Sequence, residues 1–253
     1  MTSQQLVLSL VLATMVFSVS LELRIEDFRR VAQTPRAVVC GLIPQFILLP
    51  VGTWLATLAL DLPANIEAAM ILVAACPGGS LSNVVTHMGR GNTALSVSIS
   101  AVASVIALFA TPFNFSWMIA ANPETASWLR QLSIDPSGIW LSLVLLLGIP
   151  LALGLVFSHR LPALTERIRK PLGHFAVGAL ILFIVAGLIK ERQLLTLGLL
   201  PTLLLVVMHN ASGLFLGWAT SLAMRVSERD RRAIMIEGGM QNSGLALGII
   251  AVR

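Results

Sequence analysis

The residue whose setting most needs a chemical explanation is Glu237. It lies in IMIEGGMQNSGLALGII, where a carboxylate, two adjacent glycines and a Gln-Asn-Ser cluster interrupt an apolar run over positions 237–244. An ionised carboxylate at mid-bilayer depth costs at least ~2.5–3.5 kcal/mol unless something pairs with it. No Lys or Arg falls at that depth, so the partner is a proton or a bound cation. Gln241 and Asn242 share the interruption, and the backbone carbonyls freed at 237–240 add further oxygens. Far upstream, ACPGGSLSNVV sets Pro77, Gly78 and Gly79 inside a second apolar run, followed at once by Ser80, Ser82 and Asn83. Proline removes a backbone donor and the glycines loosen the next turn, so two half-helices are expected to meet there. If the two breaks cross, Ser82 and Asn83 join Glu237. Hydroxyls, amide oxygens and carbonyls are hard donors that suit an alkali cation, sodium above all, and not zinc or copper.

Ser96 and Ser100 are four apart and share a helix face, so they extend this polar lining, whereas Ser98 points elsewhere. Gln45, an amide between two prolines in GLIPQFILLP, reads either as interhelical glue or as one more oxygen for the cation. His209 and Asn210, within VVMHNASG, read either as lining the substrate path or as a helix-packing polar pair. His87, His159 and His174 sit near loop edges and take no role. Neither break holds a histidine and no nucleophile motif is present, so the chain is not read as an enzyme. Cys40 and Cys76 fall in apolar segments and read as small buried hydrophobes rather than a disulfide.

The elements that must position these residues are membrane helices. Of 253 residues 56% are hydrophobic and 11% charged, well outside the soluble average of roughly 25% charged, and the mean hydropathy is +0.87. An all-α polytopic membrane protein follows, with eight apolar stretches at 6–23, 37–58, 66–90, 93–113, 139–158, 172–189, 197–222 and 233–252. The first is expected to be retained rather than cleaved as a signal peptide, because MTSQQ carries no basic residue before it. Strict alternation of the spans puts thirteen of the seventeen Lys and Arg residues on one side, which makes the basic loops cytoplasmic. The net charge of +5 therefore reflects topology and not nucleic-acid binding. The linker 114–138, with Trp117, Pro123 and Trp128, is expected outside, between two halves. The interrupted spans are third and eighth, and five spans apart they cross the membrane in opposite senses. That parity is the mark of an inverted-topology repeat with a five-helix unit, of which eight spans out of ten are present.

CPGGSLSNVVTHMGRGNTALSVSIS followed far downstream by IEGGMQNSGLALG resembles the bile acid:sodium symporter family, which includes bile acid transporters and their bacterial and plastid relatives. GLIPQFILLP, DLPANIEAAMIL and VVMHNASGLFLG are similar too, and the similarity runs from about residue 6 to the end. The resemblance implies two sodium ions. One would be held by Ser82, Asn83, Ser96, Ser100 and Glu237, the other by Gln45, Glu237, Gln241 and the carbonyls of Gly238 and Met240. Asn242 and Ser80 would face the substrate cavity, with His209 and Asn210 counted beside them. The family's fold implies a single transporter unit over 1–253. Its core domain takes the spans 37–58, 66–90, 93–113, 197–222 and 233–252, and its panel takes 6–23, 139–158 and 172–189. The family's last helix has no counterpart here.

The expected function is sodium-driven symport of a small or bile acid-like organic anion by alternating access across a bacterial inner membrane, with that anion and the bilayer as partners. Two other readings stay open at this point. In one, the same fold carries a proton on Glu237; in the other, the chain is a non-transporting or truncated membrane sensor.

Overall fold

A computed structural model describes residues 10, 13–14, 16–21, 25–79, 81–131, 136–190 and 199–242. Among them the helices are α1 (Ile25–Gln33), α2 (Pro35–Leu60), α3 (Ala64–Ala75), α4 (Leu81–Met88), α5 (Thr93–Ala121), α6 (Pro123–Gln131), α7 (Pro136–Arg160), α8 (Pro162–Lys190), α9 (Leu199–Ala223) and α10 (Glu228–Gly239). No β-strand occurs among the described residues; extended pairing is limited to an isolated antiparallel bridge between Gly78 and Gln241. By length and hydropathy α2, α5 and α9 can each cross a membrane. Ser80, half of 6–23 and all of 243–252 lie outside the described residues.

Irregular backbone inside a membrane helix is tolerable only where protein supplies the lost hydrogen bonds. That rule accounts for the interior polar side chains. In α2 the stretch Pro44–Leu48 is π-helical, with the Leu49 N–H on the Pro44 carbonyl. Pro50 has no N–H for the Phe46 carbonyl, and the Asn114 amide of α5 donates to it instead at 3.0 Å. The α3 helix stops at Ala75 ahead of Pro77, and the Thr111 hydroxyl, also from α5, donates to the Ala75 carbonyl at 2.7 Å. The natural helical donor for that carbonyl, the Gly79 N–H, is turned away to the Met240 carbonyl at 2.9 Å.

Apolar packing collects on either side of the two breaks. Ala68, Ile71, Leu72 and Ala75 of α3 pack on Phe115, Met118 and Ile119 of α5. A second cluster joins Val38 and Cys40 of α2 with Leu95 and Ile99 of α5 and Ala233 and Ile234 of α10. Both cysteines are free and buried.

Three boundaries differ from the sequence reading, each for a local reason. The fourth span does not stop at 113: α5 continues to Ala121 because Phe115, Met118 and Ile119 bury against α3, so 114–121 belong to a helix and not to the linker. The α8 helix starts at Pro162 instead of 172 and takes in Arg167, Arg169 and Lys170, which the spans 139–158 and 172–189 leave between them. The α10 helix starts at Glu228 instead of 233, because the Ser227 hydroxyl caps it by accepting the Asp230 N–H at 3.2 Å and two acids occupy its first turn.

At one end of the molecule the turns around Arg90 and Arg225 meet. Asn92 donates its N–H to the Arg229 carbonyl at 2.9 Å and its side-chain amide to Asp230 at 2.7 Å, while Arg36 reaches the Met224 carbonyl at 2.6 Å. Asn92 is also the N-cap of α5, accepting the Leu95 N–H at 3.2 Å. Replacing it with alanine removes a cap and a charge-assisted bond together. Thermal unfolding should show Asn92→Ala destabilised by about 1–3 kcal/mol. Asn92→Asp keeps the cap but sets a second carboxylate against Asp230, so it should be destabilised as well.

Candidate functional site

The two breaks meet as a short antiparallel crossing. Besides the Gly79 to Met240 bond, the Asn242 N–H donates to the Pro77 carbonyl at 2.9 Å. Gly78 lies at the centre. A methyl group there would stand 2.8 Å from Glu237 Oε2, 3.2 Å from the Glu237 carbonyl and 3.5 Å from Gln45 Oε1, so the close approach requires glycine. Gly79 packs on Asn242, whose Cα and Cβ would lie 3.7 and 3.8 Å from an added methyl.

Glu237 is 0% exposed, and among the described residues no Lys or Arg forms an ion pair with it. Its Oε1 accepts from Ser82 at 2.6 Å, Ser96 at 2.6 Å and Ser100 at 2.9 Å. Asn83 Oδ1 is 2.8 Å from the Ser96 hydroxyl and 3.4 Å from that of Ser100. The Ser82 hydroxyl is also 2.7 Å from the Gly79 carbonyl. The Ser82 hydroxyl has one proton to give and two acceptors within reach, a carbonyl and a carboxylate oxygen. One of these two short oxygen–oxygen approaches therefore lacks a proton. A cation would offset the resulting repulsion and supply the charge that Glu237 lacks, so the donor set fits sodium as cargo. Thr86, completely buried and 3.3 Å from the Ser96 hydroxyl, joins this cage.

On the other side of Gly78, Gln45 is equally buried, placed by the π-helical stretch of α2. Its Oε1 accepts the Gly78 N–H at 3.1 Å, which fixes the orientation of the amide because a backbone N–H only donates. Glu237 Oε2 and Gln45 Nε2 are buried without a hydrogen-bond partner. Gln241 turns back to donate to the Gly238 carbonyl at 3.0 Å. Met240 and Gly238 thus bring their carbonyls to the same break as Gln45 and Glu237, with one lone pair each already engaged.

His209 and Asn210 do not meet this cage directly. The His209 Nε2 is 3.0 Å from the Thr53 hydroxyl on α2, and the Asn210 amide donates to the Gly239 carbonyl at 2.6 Å. Sequence reasoning passed over Thr86, although a hydroxyl four residues after Ser82 is legible as the same helix face. It also passed over Gly213 and Gly217, whose Gly-x-x-x-Gly spacing is a known signal of close helix approach. Glu67 is a further buried carboxylate, outside the residues read as functional from the sequence. It is 1% exposed, its carboxyl is hydrogen-bonded by the Asn122 side chain and the Leu62 N–H, and it ties α3 to the α5–α6 corner at the end away from Asn92.

Residues 9–215 match the model of the sodium bile acid symporter family. The chain belongs to that family. It is 30% identical over 245 residues to the uncharacterized sodium-dependent transporter YocS of Bacillus subtilis, covering 96% of this chain and 73% of that protein. It is 29% identical over 237 residues to the probable chloroplastic sodium/metabolite cotransporter BASS1 of rice, and 30% over 238 residues to the corresponding BASS2. Those matches cover 93% and 92% of this chain but 55% and 54% of the plastid proteins, so the chain spans just over half their length. Membership places the chain in a family of sodium-dependent membrane transporters, which are not enzymes.

Proposed function

We propose that the chain binds two sodium ions at the crossed breaks and couples them to symport of a small organic anion. The observation that carries this reading is Glu237, a buried carboxylate with no cationic partner among the described residues, held by three hydroxyls where two helices lose their regular backbone. The first ion would take Ser82, Asn83, Ser96, Ser100 and Glu237. The second would take Gln45, Glu237, Gln241 and the Gly238 and Met240 carbonyls. Helix ends favour the arrangement: the carbonyl ends of α3 and α10 point at the crossing and suit cations, while the N–H end of α4 suits an anion. Two sodium ions on one carboxylate leave an excess of about one positive charge. An anion beside Asn242 and Ser80 would offset it, which makes sodium and anion binding mutually dependent.

Movement in this reading separates a core of α2, α3, α4, α5, α9 and α10 from a panel of α7, α8 and the span at 6–23, within an inverted repeat whose parent has ten helices. The meeting of Arg36, the turn at 89–92 and residues 224–232 at one end supports a common cytoplasmic face for the basic loops, in a bacterial inner membrane. The cluster of neutral oxygens favours sodium over a proton, which needs a single acceptor.

Exchanging sodium for choline at constant pH and ionic strength tests the ion. Sodium at 100 times the dissociation constant of a site should stabilise the purified chain by ~2.7 kcal/mol for each site filled, a Tm increase of about 5–10 °C per site. Equal Tm values in the two salts would reject the reading, and a Tm that follows pH alone would replace sodium with a proton. A competition series of small carboxylates against sodium-stimulated binding then identifies the anion class.

A further inference from the structure

His209 and Asn210 are consecutive, so their side chains leave α9 about 100° apart and reach different neighbours. One goes to α2 and the other to α10. His209 meets Thr53 at 3.0 Å, and Thr53 lies eight residues, close to two turns, beyond Gln45 on the same helix, both of them buried. Asn210 donates at 2.6 Å to the carbonyl of Gly239, the residue between Gly238 and Met240. Just beyond, Gly213 and Gly217 let α9 lie directly on α10. A methyl group on Gly217 would stand 2.8 Å from the Ile234 carbonyl and 2.9 Å from Met235 Cα, and one on Gly213 would run into the Gly238 carbonyl. The α9 helix is therefore fixed to α10 by backbone contact and packs along α2, where His209 meets Thr53.

We infer that His209 and Asn210 are positioning residues: through Thr53 and the Gly239 carbonyl they set the separation between Gln45 and the Gly238, Met240 and Gln241 group, and so set sodium affinity at the second ion site without contacting the anion. The inference rests on the sodium reading given above. Asn210 holds the break in shape by occupying a carbonyl that would otherwise be free to turn toward the ion or toward Gln241. His209 holds the Gln45 helix at the matching distance. Loss of either contact leaves every sodium-donating oxygen in the chain but relaxes the spacing between them. Partners of this kind behind a metal's own ligands typically carry 10–100-fold in affinity.

The test is equilibrium binding of radiolabelled sodium to the purified full chain, with choline as the replacement cation, alongside thermal unfolding in choline alone. Asn210→Ala and Thr53→Val should each raise the sodium half-saturation by about 10-fold or more, and Thr53→Ser, which keeps the hydroxyl, should restore it. A merely structural role would lower Tm in choline and leave half-saturation within about 2-fold of wild type, and that result overturns the inference while leaving the sodium reading intact. Unchanged sodium binding, with displacement of a bound organic anion altered at saturating sodium, also overturns it and returns the pair to the substrate cavity. Failure of the wild-type chain to bind sodium overturns the underlying reading, and is recognised before any variant is compared. Thr53→Val keeps the test available should Asn210→Ala not fold.

Discussion

Glu237→Gln is expected to be at least as stable as wild type in choline and less stable in sodium. In choline the variant should be at least as stable as wild type, because it replaces a buried carboxylate without a cationic partner by a neutral group of the same size. An ionised acid at mid-bilayer costs at least ~2.5–3.5 kcal/mol, and the amide avoids that cost. Its carbonyl oxygen can still accept from Ser82, Ser96 and Ser100, which lie 2.6, 2.6 and 2.9 Å from Glu237 Oε1. In sodium the order should reverse. The wild-type chain gains binding energy, whereas the variant offers neutral oxygens alone to an ion that has lost its water. Removing one member of a buried charge pair typically costs 3–5 kcal/mol, so half-saturation for sodium should rise by about 100-fold or more. The two unfolding curves, each measured in both salts, should therefore cross. Glu237→Ala should lose sodium binding equally but without the stability in choline, because it also leaves a cavity where a fully buried side chain stood. Equal sodium stabilisation of wild type and Glu237→Gln would remove Glu237 from the site.

What the sequence makes legible here is what membrane energetics forbids. Pro77, Gly78 and Gly79 in one apolar run, and Glu237, Gly238 and Gly239 in another, violate local rules so plainly that each break reads directly from residue type, and the crossing in the structure lies at those positions. Ser82, Ser96 and Ser100 could be grouped beforehand because helical periodicity puts Ser96 and Ser100 on one face. Three other features depend on partners far away in the chain. The extension of α5 past 113 rests on burial of Phe115, Met118 and Ile119 against α3, which no window around Pro112 contains. The π-helical stretch that aims Gln45 arises where Pro50 withholds a donor and Asn114 supplies one from 68 residues away. Asn210, a polar residue in a span, carries no mark in its own segment that its partner is the Gly239 carbonyl. Periodicity identifies a face; what that face meets is set by tertiary packing.

The tightest such packing predicts the second large effect, at Gly213. A single methyl group there would collide with the Gly238 carbonyl and stand 3.1 Å from Gly239 Cα. Those are backbone atoms, which have no rotamer to change, so α9 and α10 would have to separate along the length of their contact. Overpacking of this kind typically costs 1–3 kcal/mol, and the Tm of Gly213→Ala should fall by about 2–12 °C. The effect should not stop at stability. The atoms displaced are those of Gly238 and Gly239, one carbonyl proposed to face sodium and one held by Asn210, so sodium half-saturation should rise along with the fall in Tm. Gly52 supplies the contrast, because an added methyl there has no atom within 4 Å. Gly52→Ala should gain up to ~1 kcal/mol from lower backbone entropy in the unfolded chain and leave sodium affinity unchanged. If Gly213→Ala lowered Tm while binding sodium as wild type does, α9 would be a structural support alone, and the spacing of the second ion site would have to be set by α2 and the crossing themselves.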